Sequence, residues 1–124
     1  MRVTRIYTGE DGRSHFEDRV IPDTPTPFGF ISEVATKGIV FRRSHSLHAD
    51  WHTAPRRQLI ITISGLGELQ VGGGETRVFR SGDVLLADDL TGEGHITREP
   101  TGRFALMVPL ADDFDLAEWP LDQS

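Results

Sequence analysis

Glycine and proline interrupt this chain at short intervals along its whole length. The 124 residues include 13 glycines and 7 prolines, and the segments between them are short and rich in β-branched and aromatic residues. Such segments predict strands, and their spacing is typical of a small β-sandwich or β-barrel. No segment before Ala111 has the periodicity of an amphipathic helix two turns or longer. We therefore expect one all-β domain over residues 1–124.

Two segments give the clearest strand predictions. Residues 58–64 form an almost continuous apolar run, which is typical of a strand buried on both faces. Residues 68–71 and 76–79 flank three consecutive glycines, Gly72 to Gly74, and glycine readily adopts the positive φ of a tight hairpin turn. These residues are therefore expected to form a buried strand followed by a hairpin.

The sequence also predicts the structure of residues 30–45 and of the C-terminal tail. Residues 30–35 and 38–45 are interpreted as another hairpin, with its turn at Lys37 and Gly38. The tail, residues 111–124, is acidic but contains Phe114, Leu116 and Trp119. It is expected to form a short helix or a strap that packs over the barrel.

The charge and composition of the chain limit the classes of molecule that it is expected to bind. The chain has 19 acidic and 13 basic side chains, a formal charge of −6, and no cysteine. Without a Lys/Arg-rich run, neither nucleic acid nor a membrane is expected as a partner, and the absence of cysteine excludes disulfides and thiolate metal ligands. No apolar run has the length of a signal peptide core or a membrane span, so a cytoplasmic protein with a small-molecule ligand or substrate is expected.

Residues 50–65 join a polar loop to the predicted buried strand. Within them, His52, Ala54, Gln58 and Gly65 have the spacing of the first motif of the cupin family, which places two His, a Glu and a Gly at these positions. The segment therefore resembles a cupin motif in which two metal ligands have changed.

A second resemblance follows later in the chain. Gly82 and Asp83 are similar to the opening of the second cupin motif, and Gly92-x-x-His95 is similar to its Gly-x-x-His close. Glu99 stands where that motif ends in Asn. The resemblance implies a double-stranded β-helix, the cupin jelly roll, and a homodimer is expected on the same ground.

The resemblance also implies a set of metal ligands. Carried over to this chain, His52, Gln58 and His95 would bind a divalent ion, and Ala54 would leave a gap in the set. Imidazole and amide or carboxylate oxygen suit Zn, Fe, Mn, Ni or Co, so the ligands do not identify the metal. Strict alternation along an extended strand would place His48 and Asp50 on the face of His52, where either could fill the gap.

The same cavity offers candidate catalytic side chains. His48 or Asp50 could transfer protons, and the guanidinium of Arg57 could hold a substrate carboxylate at the cavity mouth. Asp89 could orient the His95 imidazole or share a proton with it. Four residues are thus candidates for catalytic roles: His48, Asp50, Arg57 and Asp89.

Three functions remain open. The leading hypothesis is a divalent-metal-dependent enzyme of the isomerase, cyclase, lyase or dioxygenase type, acting inside the barrel. The second is a metal-free epimerase or isomerase that uses His and Asp as acid and base, which the altered ligands at Ala54 and Gln58 favour. The third is a non-catalytic module that binds a small ligand.

Overall fold

The computed structural model describes residues 1–123, and these residues form twelve strands and one short 3₁₀ helix, Leu116–Glu118. The strands are β1 (Arg2–Thr8), β2 (Ser14–Val20), β3 (Thr24–Thr26), β4 (Gly29–Ile31), β5 (Val40–Ser44), β6 (Leu47–His52), β7 (Gln58–Gly65), β8 (Gly67–Val71), β9 (Thr76–Phe79), β10 (Val84–Asp88), β11 (His95–Glu99) and β12 (Arg103–Pro109). No helix within this range has the length and apolar character needed to cross a membrane.

Two sheets face each other and enclose the barrel interior. The larger sheet has the order β2-β1-β10-β7-β12-β5, and the smaller has the order β6-β11-β8-β9. From β5 onward the chain crosses repeatedly between the sheets, with only β8 and β9 consecutive in one of them. Four strands from each sheet therefore make an eight-stranded jelly roll, to which β1 adds parallel to β10 and β2 adds antiparallel to β1. The predicted all-β jelly roll is confirmed.

The two predicted hairpins have different outcomes. The glycine-rich hairpin is confirmed, because β8 and β9 pair antiparallel from Gly67 opposite Phe79 onward. The hairpin predicted over residues 30–45 is wrong: β4 pairs with β3, and β5 pairs with β12. Between them Thr36 bridges Leu110, so the chain continues along the end of β12 instead of turning back at Gly38. A long-range ladder has replaced the local turn.

The central strand β7 is covered on both faces, as its apolar run predicts. Ile60 packs against the apolar cluster between the sheets, and Leu59 belongs to a second cluster on the outer face of the larger sheet. The tail covers that second cluster: Trp119 is 3% exposed and contacts Phe114 edge to face at 4.8 Å. Burying a large apolar side chain contributes roughly 1.5–3 kcal/mol, so the contacts of Trp119 and Phe114 help to hold this part of the tail against the larger sheet.

Candidate functional site

A cavity of about 320 Å³ lies between the two sheets. Its wall is mostly apolar, with side chains such as Leu69, Leu85 and Met107, and a small number of polar groups project from it. This size and lining are typical of small-molecule sites. The polar residues that line it are Arg42, His52, Thr53, Gln58, His95, Thr97 and Arg103.

Two histidines lie side by side in the cavity wall. His52 in β6 is the direct partner of His95 in β11, and the centroids of the two rings are 4.5 Å apart. The Nδ1 atom of His52 lies 2.7 Å from the backbone oxygen of Asp50. Because a carbonyl oxygen only accepts, this Nδ1 carries the proton and Nε2 carries the lone pair.

The second imidazole is held by a buried carboxylate. Asp89, just after β10, is fully buried, and its Oδ2 lies 2.6 Å from Nδ1 of His95. The same oxygen accepts a hydrogen bond of 2.7 Å from the Ser14 hydroxyl, whereas no protein atom within residues 1–123 hydrogen-bonds Oδ1. This contact fixes the orientation of the His95 ring and leaves its Nε2 available for chemistry. The negative charge of Asp89 would stabilise the ring once it gains a proton.

A glycine allows the two histidines to approach. Gly94 has a φ of +76°, and a Cβ atom there would lie 2.1 Å from the backbone oxygen of His52. Any side chain at this position would push β6 away from β11 and separate His52 from His95. Gly94, directly before His95, therefore has a packing reason in this chain.

A bulge in β6 changes which of its residues face the cavity. His95 lies opposite His52 while Thr97 lies opposite Ala49, so β6 has one extra residue between these pairs. A bulge of this kind reverses the alternation of side chains beyond it. In consequence, Leu47 and Ala49 line the cavity together with His52.

The alternation predicted for His48 and Asp50 therefore does not hold through β6. His48 is exposed and lies opposite Arg98 on β11, outside the cavity lining. The Asp50 side chain is also exposed, and its Oδ1 accepts from the backbone nitrogen of Trp51. The structure does not bring either side chain to the histidine pair, and only the backbone oxygen of Asp50 contacts His52.

Gln58 and Arg57 lie on different sides of the larger sheet. Gln58 is buried in the cavity wall, and its Oε1 accepts from Nε of Arg56 at 3.1 Å. Arg57 instead forms an ion pair with Asp88, with its Nε 2.9 Å from Oδ1, and its guanidinium lies near the Phe114 ring. Successive residues of an extended chain point to opposite faces, so an inward Gln58 leaves Arg57 outside the cavity.

The donors around the histidine pair do not fit the metal set that the cupin resemblance implies. Within residues 1–123 no three His, Cys, Asp or Glu side chains come together as a metal site. The oxygen of Gln58 already faces a guanidinium, which disfavours a nearby cation. Ala54 is buried and carries no donor in the place of the missing ligand. His52 and His95 alone are too few for a resident metal, and the divalent ion stays a prediction.

A second polar group in the wall was not expected from the sequence. Glu99 is fully buried and receives hydrogen bonds from Nη1 and Nη2 of Arg42 and from the Ser44 hydroxyl, the latter at 2.6 Å. Arg103 contributes Nη1 at 3.3 Å and also donates to the Thr62 hydroxyl at 2.7 Å. Glu99, two positions beyond Thr97 on β11, faces inward, and an inward carboxylate requires a cationic partner. The alternation of residues along β11 is the sequence signal from which the inward position of Glu99 could have been predicted.

Burial and ion pairing act in opposite directions on these charges. Burial raises the pKa of Glu99, but the hydrogen bonds from Arg42 and Ser44 and the nearby positive charges outweigh it, so the pKa lies below its ordinary value. Burial lowers the pKa of Arg103. Arginine nevertheless stays protonated in proteins, so this group carries fixed charges.

Comparison with solved structures gives distant likenesses. A protein from Neisseria meningitidis shares 18% identity over 64% of this chain and 81% of its own, with a TM-score of 0.47. A candidate ethanolamine utilization protein Q from Salmonella typhimurium LT2 shares 14% over 89% and 95%, with a TM-score of 0.43. A candidate mannose-6-phosphate isomerase from Ralstonia eutropha JMP134 shares 15% over 88% and 85%, with a TM-score of 0.41. No protein-family model and no curated protein sequence matches the chain.

Proposed function

We propose that this protein is a metal-free acid–base enzyme that moves a proton within a small carbonyl compound bound in the barrel. The observation that carries the proposal is the 2.6 Å contact between Asp89 Oδ2 and His95 Nδ1, buried beside the cavity. A carboxylate that holds one nitrogen of an imidazole leaves the other as a base with a defined direction.

His95 is the proposed base. Its Nε2 would take the proton from the carbon next to the carbonyl group, and the charge that forms on the ring would be stabilised by Asp89. The same nitrogen would then return this proton to the substrate at the new position, beside the His52 ring whose centroid is 4.5 Å away. The proton that leaves one atom of the substrate returns to another, so the reaction is an isomerisation or epimerisation and needs no oxidant.

The surroundings support this chemistry. Apolar side chains line most of the cavity, and surroundings of low polarity strengthen electrostatic interactions inside it. Ala54 and Gln58 stand where metal ligands are expected, so the pocket keeps histidines without a full ligand set.

The test is deuterium exchange in D₂O, followed by NMR, with a panel of small ketones and aldehydes. Wild-type protein, purified without a nickel column, is expected to exchange hydrogen next to the carbonyl group of at least one compound. The His95→Gln variant should be slower by about 100-fold or more. His48→Gln is the matched control, because His48 is an exposed histidine outside the cavity and its loss should leave the rate unchanged.

Two results would contradict the proposal. Exchange that disappears on chelation and returns with Zn, Fe, Mn, Ni or Co would replace it with the metal-dependent hypothesis. Saturable binding of panel compounds without exchange by the wild type would favour a non-catalytic binding module.

A further inference from the structure

The cavity wall carries an uncompensated positive charge. Arg42 and Arg103 both line the cavity, and the one carboxylate that they share is that of Glu99. Among the described residues, the cavity lining includes no Asp or Glu. Two guanidinium groups against one carboxylate leave a net charge of +1 at this place.

This charge does not change with pH in the neutral range. Hydrogen bonds and positive neighbours hold the pKa of Glu99 below its ordinary value, so the carboxylate stays ionised. Both arginines stay protonated. The cluster therefore presents the same positive charge whenever the protein is folded, in an environment where an unpaired charge is costly.

Arg42 also retains a hydrogen-bond donor. Arg42 contacts Glu99 through Nη1 and Nη2, and no protein atom in residues 1–123 accepts from its Nε. Arg103 makes its bonds to Thr62 and Glu99 within the wall. Guanidinium donors that are not used by the protein suit a carboxylate or another planar anion.

The two polar groups are separated along one strand. His95, Thr97 and Glu99 are alternate residues of β11, and a strand rises about 3.3 Å per residue, so the first and last lie on the order of 13 Å apart along the strand. The Thr97 hydroxyl lies between them in the cavity wall. A ligand that reaches both groups has its anionic end away from its reacting carbon.

We propose that the cavity binds small molecules with a single negative charge, such as linear oxocarboxylic acids, with the anionic group against Arg42 and Arg103. The carbonyl end then lies at His95 and His52. The inference rests on the proposed acid–base function, which it extends by naming the substrate class. It also places substrate recognition on Arg42 and Arg103 rather than on Arg57.

Hexanoate and hexanamide form a matched pair of probes, nearly equal in size and different in charge. Isothermal titration of the wild type should show that hexanoate binds about tenfold or more tightly than hexanamide, because a charged hydrogen-bond partner is lost with the amide. Equal affinities, or no saturable binding of hexanoate, would overturn the inference without any need for a variant.

Two variants shift the charge in opposite directions. Arg42→Gln should weaken hexanoate binding by about tenfold or more, and Glu99→Gln should strengthen it because the compensating charge is removed. Arg43→Gln is the matched control: this neighbour on β5 is exposed and contacts the Phe104 ring at 5.6 Å. Circular dichroism checks that each variant is folded. Unchanged affinity in Arg42→Gln together with weaker binding in Glu99→Gln would contradict the inference.

The inference and the proposed function can fail separately. His95→Gln should abolish deuterium exchange while hexanoate still binds. A wild type that prefers hexanoate but exchanges none of the carbonyl compounds would remove only the acid–base function. A wild type that exchanges carbonyl compounds but binds hexanamide as well as hexanoate would remove only the anionic substrate class.

Discussion

Two buried carboxylates serve this barrel in different ways. Asp89 contacts a histidine and a serine, whereas Glu99 contacts two arginines and a serine. Both side chains are fully buried, so the difference lies in their partners. An imidazole can act as an acid or a base, so the first group is suited to proton transfer, whereas arginines stay protonated and give the second group fixed charges.

The comparison shows how one cavity can keep its proposed proton-transfer group apart from its group of fixed charges. Desolvation disfavours an ionised carboxylate at either position. Around Glu99 that cost is offset by cations, which keeps its pKa low. Asp89 instead accepts hydrogen bonds from a serine and a histidine, and it orients the imidazole. One carboxylate therefore orients a base, and the other takes part in a cluster of fixed charges.

The largest expected effect is on stability, from removal of each carboxylate. Glu99→Leu should lower the free energy of unfolding by about 3–5 kcal/mol, because two guanidinium groups lose their counter-charge. Asp89→Leu should cost about 1–3 kcal/mol, because it removes the acceptor of two hydrogen bonds, from Ser14 and His95. Urea unfolding followed by circular dichroism measures both values. Equal decreases in the free energy of unfolding for the two variants would contradict the proposed difference between Glu99 and Asp89.

The next effect is on catalysis. Asp89→Asn keeps the size of the side chain but removes the negative charge behind His95, so the rate of proton transfer at saturation should fall by about 100-fold. KM should change little, since Asp89 is not part of the cavity lining. A matching rise in KM with an unchanged maximal rate would indicate a packing role instead.

The pH dependence of stability distinguishes the two groups further. The ordinary pKa of Glu99 is 4.5 and folding lowers it, so its stabilisation is present above pH 4.5 and is lost as the pH falls through the lower folded value. Wild-type protein should therefore lose stability as the pH falls below 4.5, and Glu99→Gln should show a shallower decline. Asp18 also has a lowered pKa, from 3.8, so Asp18→Asn serves to subtract its share. Parallel curves for wild type and Glu99→Gln would refute the assignment.

The smallest effect is expected outside the cavity. Arg57→Gln breaks an ion pair with Asp88, which keeps a second partner in Arg5 at 2.8 Å. The free energy of unfolding should fall by no more than about 1 kcal/mol, and hexanoate affinity should stay unchanged. Titration calorimetry and urea unfolding test both statements. A marked loss of hexanoate binding would return anion recognition to Arg57.

Some of this arrangement is readable in the sequence for physical reasons. The apolar run of β7 and the glycines of the β8–β9 turn are local signals, and both led to correct elements. The spacing around His52 and His95 pointed to one cavity, and the rings lie side by side. Each of these features depends on neighbours close in the chain or on a motif with fixed spacing.

Other features depend on contacts between distant segments. The β6 bulge follows from its register with β11, and alternation alone placed His48 and Asp50 on the wrong face. The β5–β12 pairing replaced a local turn in the same way. Arg42 and Arg103 are separated by about half of the chain, so their shared carboxylate can be recognised only after the strands are paired.

The hydrogen bond between Asp89 and His95 also holds parts of the two sheets together. Asp89 follows a strand of the larger sheet, His95 begins a strand of the smaller one, and Ser14 belongs to the N-terminal strand pair. The bond therefore links the larger sheet to the smaller one at one edge of the barrel. When the two sheets separate here in a local fluctuation, the His95 imidazole loses its hydrogen bond to Asp89 at the same moment. The stability of this contact between the sheets therefore sets the fraction of time in which His95 is oriented to act as a base.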